Sequence, residues 1–160
     1  MEGSPGQVGA DFPAVGSNFG PPSSGRIPLL LREGMADMRQ TGFPAKVKKL
    51  IAERASATGD AADAYCEVWE VCHGARSGPP HHRRPRGQGG SRRRDTNLPA
   101  NGISCCPRCH DWIETHRDEA KKHGWLLEQH QSPTEVPMLR RGLLVLLDNQ
   151  GGWERTEEAA

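Results

Sequence analysis

The sequence predicts a small α+β domain that a bound metal ion helps to hold together. Among its 160 residues are 19 glycines and 13 prolines, only 5% of the chain is aromatic, and the mean hydropathy is -0.72. Such a composition leaves little material for a large apolar core. Two helical patterns, one aliphatic run and 5 cysteines indicate helices and short strands around a metal site.

Composition divides the chain into four segments. The first is rich in Gly, Pro and Ser without periodicity, which predicts a disordered leader. The second is helical, the third carries the reactive side chains, and the fourth is a β arm with an acidic tail. Their boundaries are 1–34, 35–65, 66–124 and 125–160. An alternative is that the protein begins at Met35 or Met38.

Periodic apolar residues predict two helices and a strand. The first helix lies within PAKVKKLIAERASATG, residues 44–59, and the second within PRCHDWIETHRDEAKKHG, residues 107–124. Each pattern has proline near its start and glycine at its end. On the second apolar stripe His116 is expected to be a packed core histidine. The run LLVLL at 143–147, followed by DNQGGW, predicts a short buried strand and a turn.

No apolar run is long enough for a membrane span or a signal peptide. We therefore expect a soluble, non-secreted, cytoplasmic protein with no membrane partner. In a reducing compartment cysteines favour metal binding or catalysis over disulfides.

Four of the cysteines form two pairs that suit zinc. Cys106 and Cys109 form a Cys-x-x-Cys that leads into the second helix, and Cys66 with Cys72 is a second pair. Two thiolate pairs match the tetrahedral preference of zinc, and one such ion supplies about 10 kcal/mol of apparent folding free energy. Cys105 is left over. The alternatives are a thioredoxin-like redox pair or ordinary buried cysteines.

The first pair is irregular. In CEVWEVC the two cysteines are separated by five residues, against the usual two to four. Either Cys66 reaches the ion through a wider loop, or His73 takes its place; the sequence leaves both open.

A basic stretch, HHRRPRGQGGSRRR, runs from His81 to Arg94. Between Arg76 and Arg94 there are seven arginines and no acid, in a chain whose net charge is only +1. A local positive field of this kind predicts contacts with nucleic-acid phosphates. The alternative is a disordered basic loop. The expected DNA contacts are Arg83, Arg84, Arg86, Arg92, Arg93 and Arg94.

The histidines carry a resemblance to a known family. The segments CHG, HHRRPRGQGGS and DTNLPANGISCCPRCHDWIETHR resemble the HNH endonucleases, specifically the small phage and prophage type. His82 stands three residues before Pro85, Asn101 five before Cys106, and His110 closes CPRCH. The resemblance covers about residues 66–124.

The resemblance implies a fold and a set of roles. The fold is a ββα-metal core (His-Me finger), two antiparallel strands and a helix, with the four cysteines holding a structural zinc. His82 is the general base, and His81 and His110 bind one catalytic divalent cation (Mg²⁺, Mn²⁺, Ni²⁺ or Zn²⁺). Asn101 holds the connecting loop and orients the His82 ring. The chemistry is suitable, because histidine titrates near neutral pH and a cation offsets charge at the phosphate.

The implied function is metal-dependent hydrolysis of DNA, by nicking or double-strand cutting, in phage DNA packaging or recombination. The implied partners are DNA and phage terminase or packaging proteins, and the location is the host cytoplasm. The competing interpretation is a zinc-stabilised DNA-binding module without catalysis.

Five residues around the motif have expectations of their own. Gly102 replaces the family's usual apolar residue, which predicts a looser loop. Asn101 could instead be an ordinary turn residue. Glu114 lies one helical turn beyond His110 and could be a further ligand, but we expect a surface glutamate. His123 and His130 are expected to be solvated.

Overall fold

The computed structural model describes residues 42–87, 91 and 93–156. Within this part of the chain the helices are α1 (Ala45–Ala55), α2 (Trp69–Cys72), α3 (Pro107–Thr115) and α4 (Arg117–Lys122). The strands are β1 (Pro80–His82), β2 (Gly102–Ser104), β3 (Met138–Arg140), β4 (Leu143–Leu147) and β5 (Trp153–Arg155). The predicted leader, both alternative start sites and Arg92 lie outside the described residues.

The strands form two small antiparallel sheets, which confirms the predicted mixture of helices and strands. In the first sheet β1 pairs with β2, with His81 opposite Ile103 and His82 opposite Gly102. The second has the order β3-β4-β5. The predicted strand at 143–147 is β4, and the predicted turn after it connects β4 to β5. None of the described helices has both the length and the apolar character needed to cross a bilayer.

Strand β3 has no counterpart in the sequence prediction. It joins β4 through Arg141 and Gly142, which both have positive φ values of 52° and 77°. Two consecutive residues in this region are the geometry of the tightest hairpin turns. Arginine at the first position obscured the turn, because asparagine or glycine usually occupies it.

The apolar stripe predicted for the first helix consists of Val47, Leu50, Ile51 and Ala55. Helix α1 buries three of them, and Leu50 is only partly buried. The helix ends before Gly59, because Ser56 is extended and its backbone N–H donates to the Glu53 carbonyl. The stripe also includes Arg54, which is 7% exposed and which apolar periodicity does not predict.

The second predicted helix is two helices, because His116 leaves the helical conformation (φ -116°, ψ 52°). The prediction that His116 packs in the core is wrong. The break turns its ring outward, where it is exposed and stacks on Trp112 with ring centroids 4.7 Å apart. Of the two expected solvated histidines, His130 is exposed. His123 is partly buried against Trp125.

A buried carboxylate connects three parts of the fold. Glu67, fully buried, accepts hydrogen bonds from Arg54 of α1 and from Arg140 of β3, both at 2.8 Å, and from the backbone N–H of Ser104 in β2 at 2.9 Å. Burial alone would raise the pKa of Glu67, but the Arg54 and Arg140 guanidinium groups lower it to about 2. The paired charge therefore ties α1 and the C-terminal sheet to the segment that carries the cysteines.

Gly102 allows α1 to approach β2. A Cβ atom here would lie 2.3 Å from Ile51 Cδ1 and 2.9 Å from the Phe43 ring, well inside van der Waals contact. The expected looser loop is not found, because Gly102 is buried within β2. A glycine is required at this position because any larger residue would collide with the side chains of α1 and Phe43 that pack on β2.

Candidate metal centres and active site

Two clusters of metal-ligating side chains occur among the described residues. In the first, the sulfur atoms of four cysteines lie within 4.8 Å of one another; they belong to Cys66, Cys72, Cys106 and Cys109. Cys66 precedes α2 and Cys72 ends it, while Cys106 and Cys109 lie at the start of α3. The predicted gathering of these four cysteines is confirmed.

The irregular first pair closes through a helical turn. The extra residues of CEVWEVC form α2, which ends where His73 adopts a left-handed conformation with φ 56°. His73 is exposed and does not belong to the cluster. Arg141 holds this loop, since it packs over the Trp69 ring at 5.2 Å and donates to the Cys66 carbonyl. The fourth position is therefore occupied by Cys66.

The surroundings of the sulfurs fit a bound cation such as zinc. Backbone N–H groups of Val68 and Cys106 point at the Cys66 sulfur, each at 3.4 Å, and would stabilise a thiolate. Burial nevertheless raises the pKa of the Cys66 thiol to about 12 and raises that of Cys109 as well. A bound cation would favour the thiolate form of these sulfurs. Cys105 is buried and outside the cluster.

The second cluster consists of His81, His110 and Glu114, whose ligand atoms also lie within 4.8 Å of one another. His81 comes from β1, and the other two residues are one turn apart on α3. The two imidazole rings meet edge to face with centroids 4.9 Å apart. His81 Nδ1 lies 3.8 Å from Glu114 Oε1. Glu114 is exposed as expected, but it also joins this cluster, which the expectation of a surface glutamate missed.

His81 is suited to be a ligand. Burial, followed by the electrostatic influence of His110, His82 and Arg117, lowers its pKa to about 3, so the ring is neutral, as a metal ligand must be. Its Nε2 atom is buried and has no hydrogen-bond partner within the described part of the chain. The nitrogen that faces Glu114 is the other one, Nδ1.

His82 points to the other side of β1, since successive side chains alternate across a strand. Its ring stacks on Phe43, with centroids 3.8 Å apart and planes 10° from parallel. The Asn97 Oδ1 atom lies 3.0 Å from His82 Nε2. With this oxygen as acceptor, Nε2 carries the hydrogen and Nδ1 is the basic nitrogen. Burial lowers the pKa of His82, and the charge of Arg86 lowers it further.

Asn101 has one of its two expected roles. Its buried side chain accepts from the Arg84 backbone N–H at 2.8 Å and donates to the Thr96 carbonyl at 2.8 Å, so it holds the connecting loop. The second expected role, orienting the His82 ring, is not found, because the hydrogen bonds of the Asn101 side chain within the described residues go to Arg84 and Thr96. That ring is positioned by Asn97 instead, a residue of the quoted segment DTN that the sequence analysis did not single out.

An open cavity of about 390 Å³ brings the two sides of β1 together. His81, His82, His110 and Glu114 all line it, although adjacent strand residues point apart. Besides Glu114, the charged residues that line it are Lys48 of α1 and Arg86. A phosphate group in this cavity would meet metal ligands, a basic imidazole and two cations.

The expected DNA contacts need correction at two positions. Arg83 and Arg84 are 0% and 1% exposed, so their guanidinium groups cannot reach a phosphate in this conformation. Arg83 donates to carbonyl oxygens of the segment 124–137, those of Gly124, Pro133 and Val136, at 2.7 to 2.8 Å. Arg84 bonds Asp95 and the Gln131 carbonyl. Both arginines are structural, because their N–H groups satisfy backbone oxygens that would otherwise be buried alone.

The remaining arginines are placed differently. Arg86 lines the cavity. Arg93 and Arg94 are exposed, and Arg93 also contacts Asp95 at 3.4 Å. Lys48, which the sequence analysis did not select, joins Arg86 at the cavity rim; only its position on α1 above β1 could have indicated this.

Comparisons of the chain with models of protein families, with curated proteins and with solved structures find no match.

Proposed function

We propose that the chain is a metal-dependent DNA endonuclease of the HNH type that leaves 5′-phosphate and 3′-hydroxyl ends. The observation that carries the proposal is the meeting of the adjacent histidines in one cavity. His81 belongs there to a cluster of three potential ligands, while His82 lines the same space with its own support from Asn97 and Phe43. A non-catalytic DNA-binding module has no need of one histidine among metal ligands and a second, separately supported histidine in the same cavity.

The arrangement of elements supports a ββα-metal core. β1 and β2 are antiparallel, α3 follows, and the proposed ligands lie on β1 and α3. In this proposal the four cysteines hold a structural zinc that fixes the start of α3, and with it His110. Glu114 is added to the two ligands that the resemblance implies.

The proposed chemistry assigns one task to each group. A divalent cation held by His81, His110 and Glu114 would supply Lewis-acid stabilisation of charge on the scissile phosphate. His82 accepts a proton from the attacking water at Nδ1. Asn97 keeps the hydrogen on Nε2, and the Phe43 ring fixes the plane of the imidazole. Lys48 and Arg86 offset the charge of the approaching phosphate.

Plasmid nicking tests the proposal. Supercoiled DNA is incubated with the protein and Mg²⁺, Mn²⁺ or Ni²⁺, and the relaxed and linear forms are quantified. Removal of a general base costs about 10²- to 10⁴-fold, so His82→Ala should lose that much activity. The matched control is His130→Ala, an exposed histidine outside the cavity, which should cleave like the parent protein.

Two outcomes contradict the proposal. Nicking that survives His82→Ala would remove this residue from the chemistry. DNA binding without nicking in any of the three metals would favour the zinc-stabilised binding module. A role in phage DNA packaging or recombination, beside terminase or packaging proteins, is proposed from the resemblance alone.

A further inference from the structure

We propose that one strand of the DNA substrate leaves the active-site cavity through a groove between α1 and the segments 61–64 and 76–80, where Lys48 and Arg76 hold its phosphates. The inference rests on the proposed nuclease function, which it extends by a path for the substrate.

The groove adjoins the active site. It has a volume of about 320 Å³, and two of its lining residues, Lys48 and Pro80, also line the cavity that contains the histidines. Pro80 begins β1 and His82 ends it. A chain that follows β1 from the histidines toward the N-terminal end of the strand therefore enters the groove.

The lining charges favour an anion, since the Asp63 carboxylate that pairs with Arg76 at 3.1 Å is not itself among the lining residues. Lys48 and Arg76 are the charged residues among those described as lining the groove, and no carboxylate lines it within the described part of the chain. Lys48 is exposed at the boundary of the two cavities. A cation at the boundary and another farther along are what successive phosphates of one strand require.

Arg76 is held in place for such a contact. Its guanidinium lies over the Tyr65 ring, 4.7 Å from the centroid. Nη1 donates to the Ala62 carbonyl at 3.2 Å and to Asp63 at 3.1 Å. Both bonds use Nη1, whereas a guanidinium has five N–H donors. A phosphate can therefore be met by the other nitrogens without breaking the contacts that position the group.

Apart from Ile51 and Pro80, the remaining lining consists of small residues, which leaves room for a sugar-phosphate backbone. The small residues are Ala52, Ala61, Ala62, Ala64 and Gly78. A Cβ atom on Gly78 would lie 3.1 Å from the Cys105 carbonyl oxygen, so this wall tolerates little enlargement. The hydroxyl groups of Ser77 and Ser104 bond each other beside it. Such a surface contacts backbone and sugar and does not read bases, so binding should be independent of sequence.

Binding of a single-stranded oligonucleotide tests the groove directly. The full chain with zinc and the substitution His82→Ala, which removes the proposed base, is titrated against a fluorescein-labelled oligonucleotide of mixed sequence at several NaCl concentrations. Arg76→Gln should weaken binding about three- to tenfold and lower the slope of log K against log salt by about 0.7. Arg76→Lys, which keeps the charge, should restore most of the affinity.

Lys49→Gln is the matched control. Lys49 lies on α1 beside Lys48, is 70% exposed, and contacts Glu53 at 3.6 Å, but it lines neither cavity. Lys49→Gln therefore removes one positive charge, as Arg76→Gln does, close to the same surface. If Lys49→Gln and Arg76→Gln weaken oligonucleotide binding equally, the proposed groove is wrong and a diffuse positive field explains the binding. The proposal is also wrong if Arg76→Gln binds the oligonucleotide like the parent protein while its melting temperature and zinc content are intact.

A small phosphodiester separates failure of the groove from failure of the nuclease. Bis(4-nitrophenyl) phosphate is too short to occupy both cavities, so Arg76→Gln in the protein with His82 intact should hydrolyse it at the parental rate while its KM for long single-stranded DNA rises. If the parent protein hydrolyses neither substrate and Arg76→Gln still weakens DNA binding, the nuclease proposal is rejected and the groove proposal stands. Parental hydrolysis and parental DNA binding by Arg76→Gln would reject the groove alone.

Discussion

At the scale of the residue, a missing side chain positions the proposed base. Gly102 lies opposite His82 in the β1-β2 pair, and the space where its Cβ would be is occupied by Ile51 and Phe43. Because Phe43 can approach so closely, its ring lies flat on His82. Packing of α1 and the plane of the imidazole therefore have one common cause.

We expect Gly102→Ala to lower the free energy of unfolding by about 1–3 kcal/mol, since the added methyl group must displace α1 or distort β2. Gly42→Ala is the control, because a Cβ on Gly42 meets nothing within 4 Å, and its effect should stay within about 0.5 kcal/mol. Urea unfolding followed by tryptophan fluorescence measures both. Equal stability of the two variants would show that α1 can shift without cost.

The amide of Asn97 also acts at the scale of the residue. Asn97→Ala should lower kcat for DNA cleavage about 10- to 100-fold with little change in KM, as loss of an orienting partner typically does. Asn97→Asp keeps an acceptor at 3.0 Å from His82 Nε2 and should recover part of the rate. Asn149→Ala, in the turn between β4 and β5, is the control. A parental kcat for Asn97→Ala would mean that Phe43 alone holds the ring.

At the scale of the element, the arginine-rich stretch divides into structural and exposed members. Arg83 and Arg84 face inward to carbonyls and Asp95, whereas Arg86 reaches the cavity rim. Burial also lowers the pKa of Arg83 to about 9, which leaves the side chain charged at neutral pH. A segment that looks uniformly suited to DNA thus anchors the chain that follows α4.

Arg83→Ala and Arg86→Ala remove the same charge with different results. The first leaves several buried carbonyls without donors and should lower the free energy of unfolding by about 2–5 kcal/mol. The second should change stability by less than about 0.5 kcal/mol and weaken DNA binding several-fold. Thermal unfolding and fluorescence anisotropy measure the two properties. Weak DNA binding by a fully stable Arg83→Ala protein would contradict this division.

At the scale of the whole molecule, the four-cysteine cluster lies where separate parts of the chain meet. Its two pairs come from segments about 40 residues apart, and the neighbouring Glu67 links α1 and β3. Because the apolar core is small, an ion that joins the pairs would supply a large share of the folding free energy.

Adjacent cysteines allow a strict test of the cluster. Cys106→Ser should lose bound zinc and most of its thermal stability, whereas Cys105→Ser, which changes the neighbouring buried thiol, should retain one zinc per chain. Metal content by atomic emission and melting temperature, with and without a chelator, measure both. If Cys105→Ser lost its zinc and Cys106→Ser kept it, the ligand would be Cys105 and the proposed site would be wrong.

Sequence could predict what short spacing controls. Cys106 and Cys109 are close in the chain, so their grouping follows from one turn of helix. Burial of Arg83 could not be predicted, because it depends on carbonyls brought in from a distant segment. Apolar periodicity also ignores polar residues, so it passed over the buried Arg54.

The stack of Phe43 on His82 determines how much of the chain the proposed nuclease needs for activity. A shortened protein limited to the motif, residues 66–124, would contain every proposed metal ligand and still lack Phe43, Lys48 and the Arg54 and Arg140 partners of Glu67. Such a fragment would have its ligands without a firmly held base, even if it bound metal. Domain boundaries drawn around the conspicuous histidines and cysteines would therefore cut through the proposed catalytic unit, which includes Phe43.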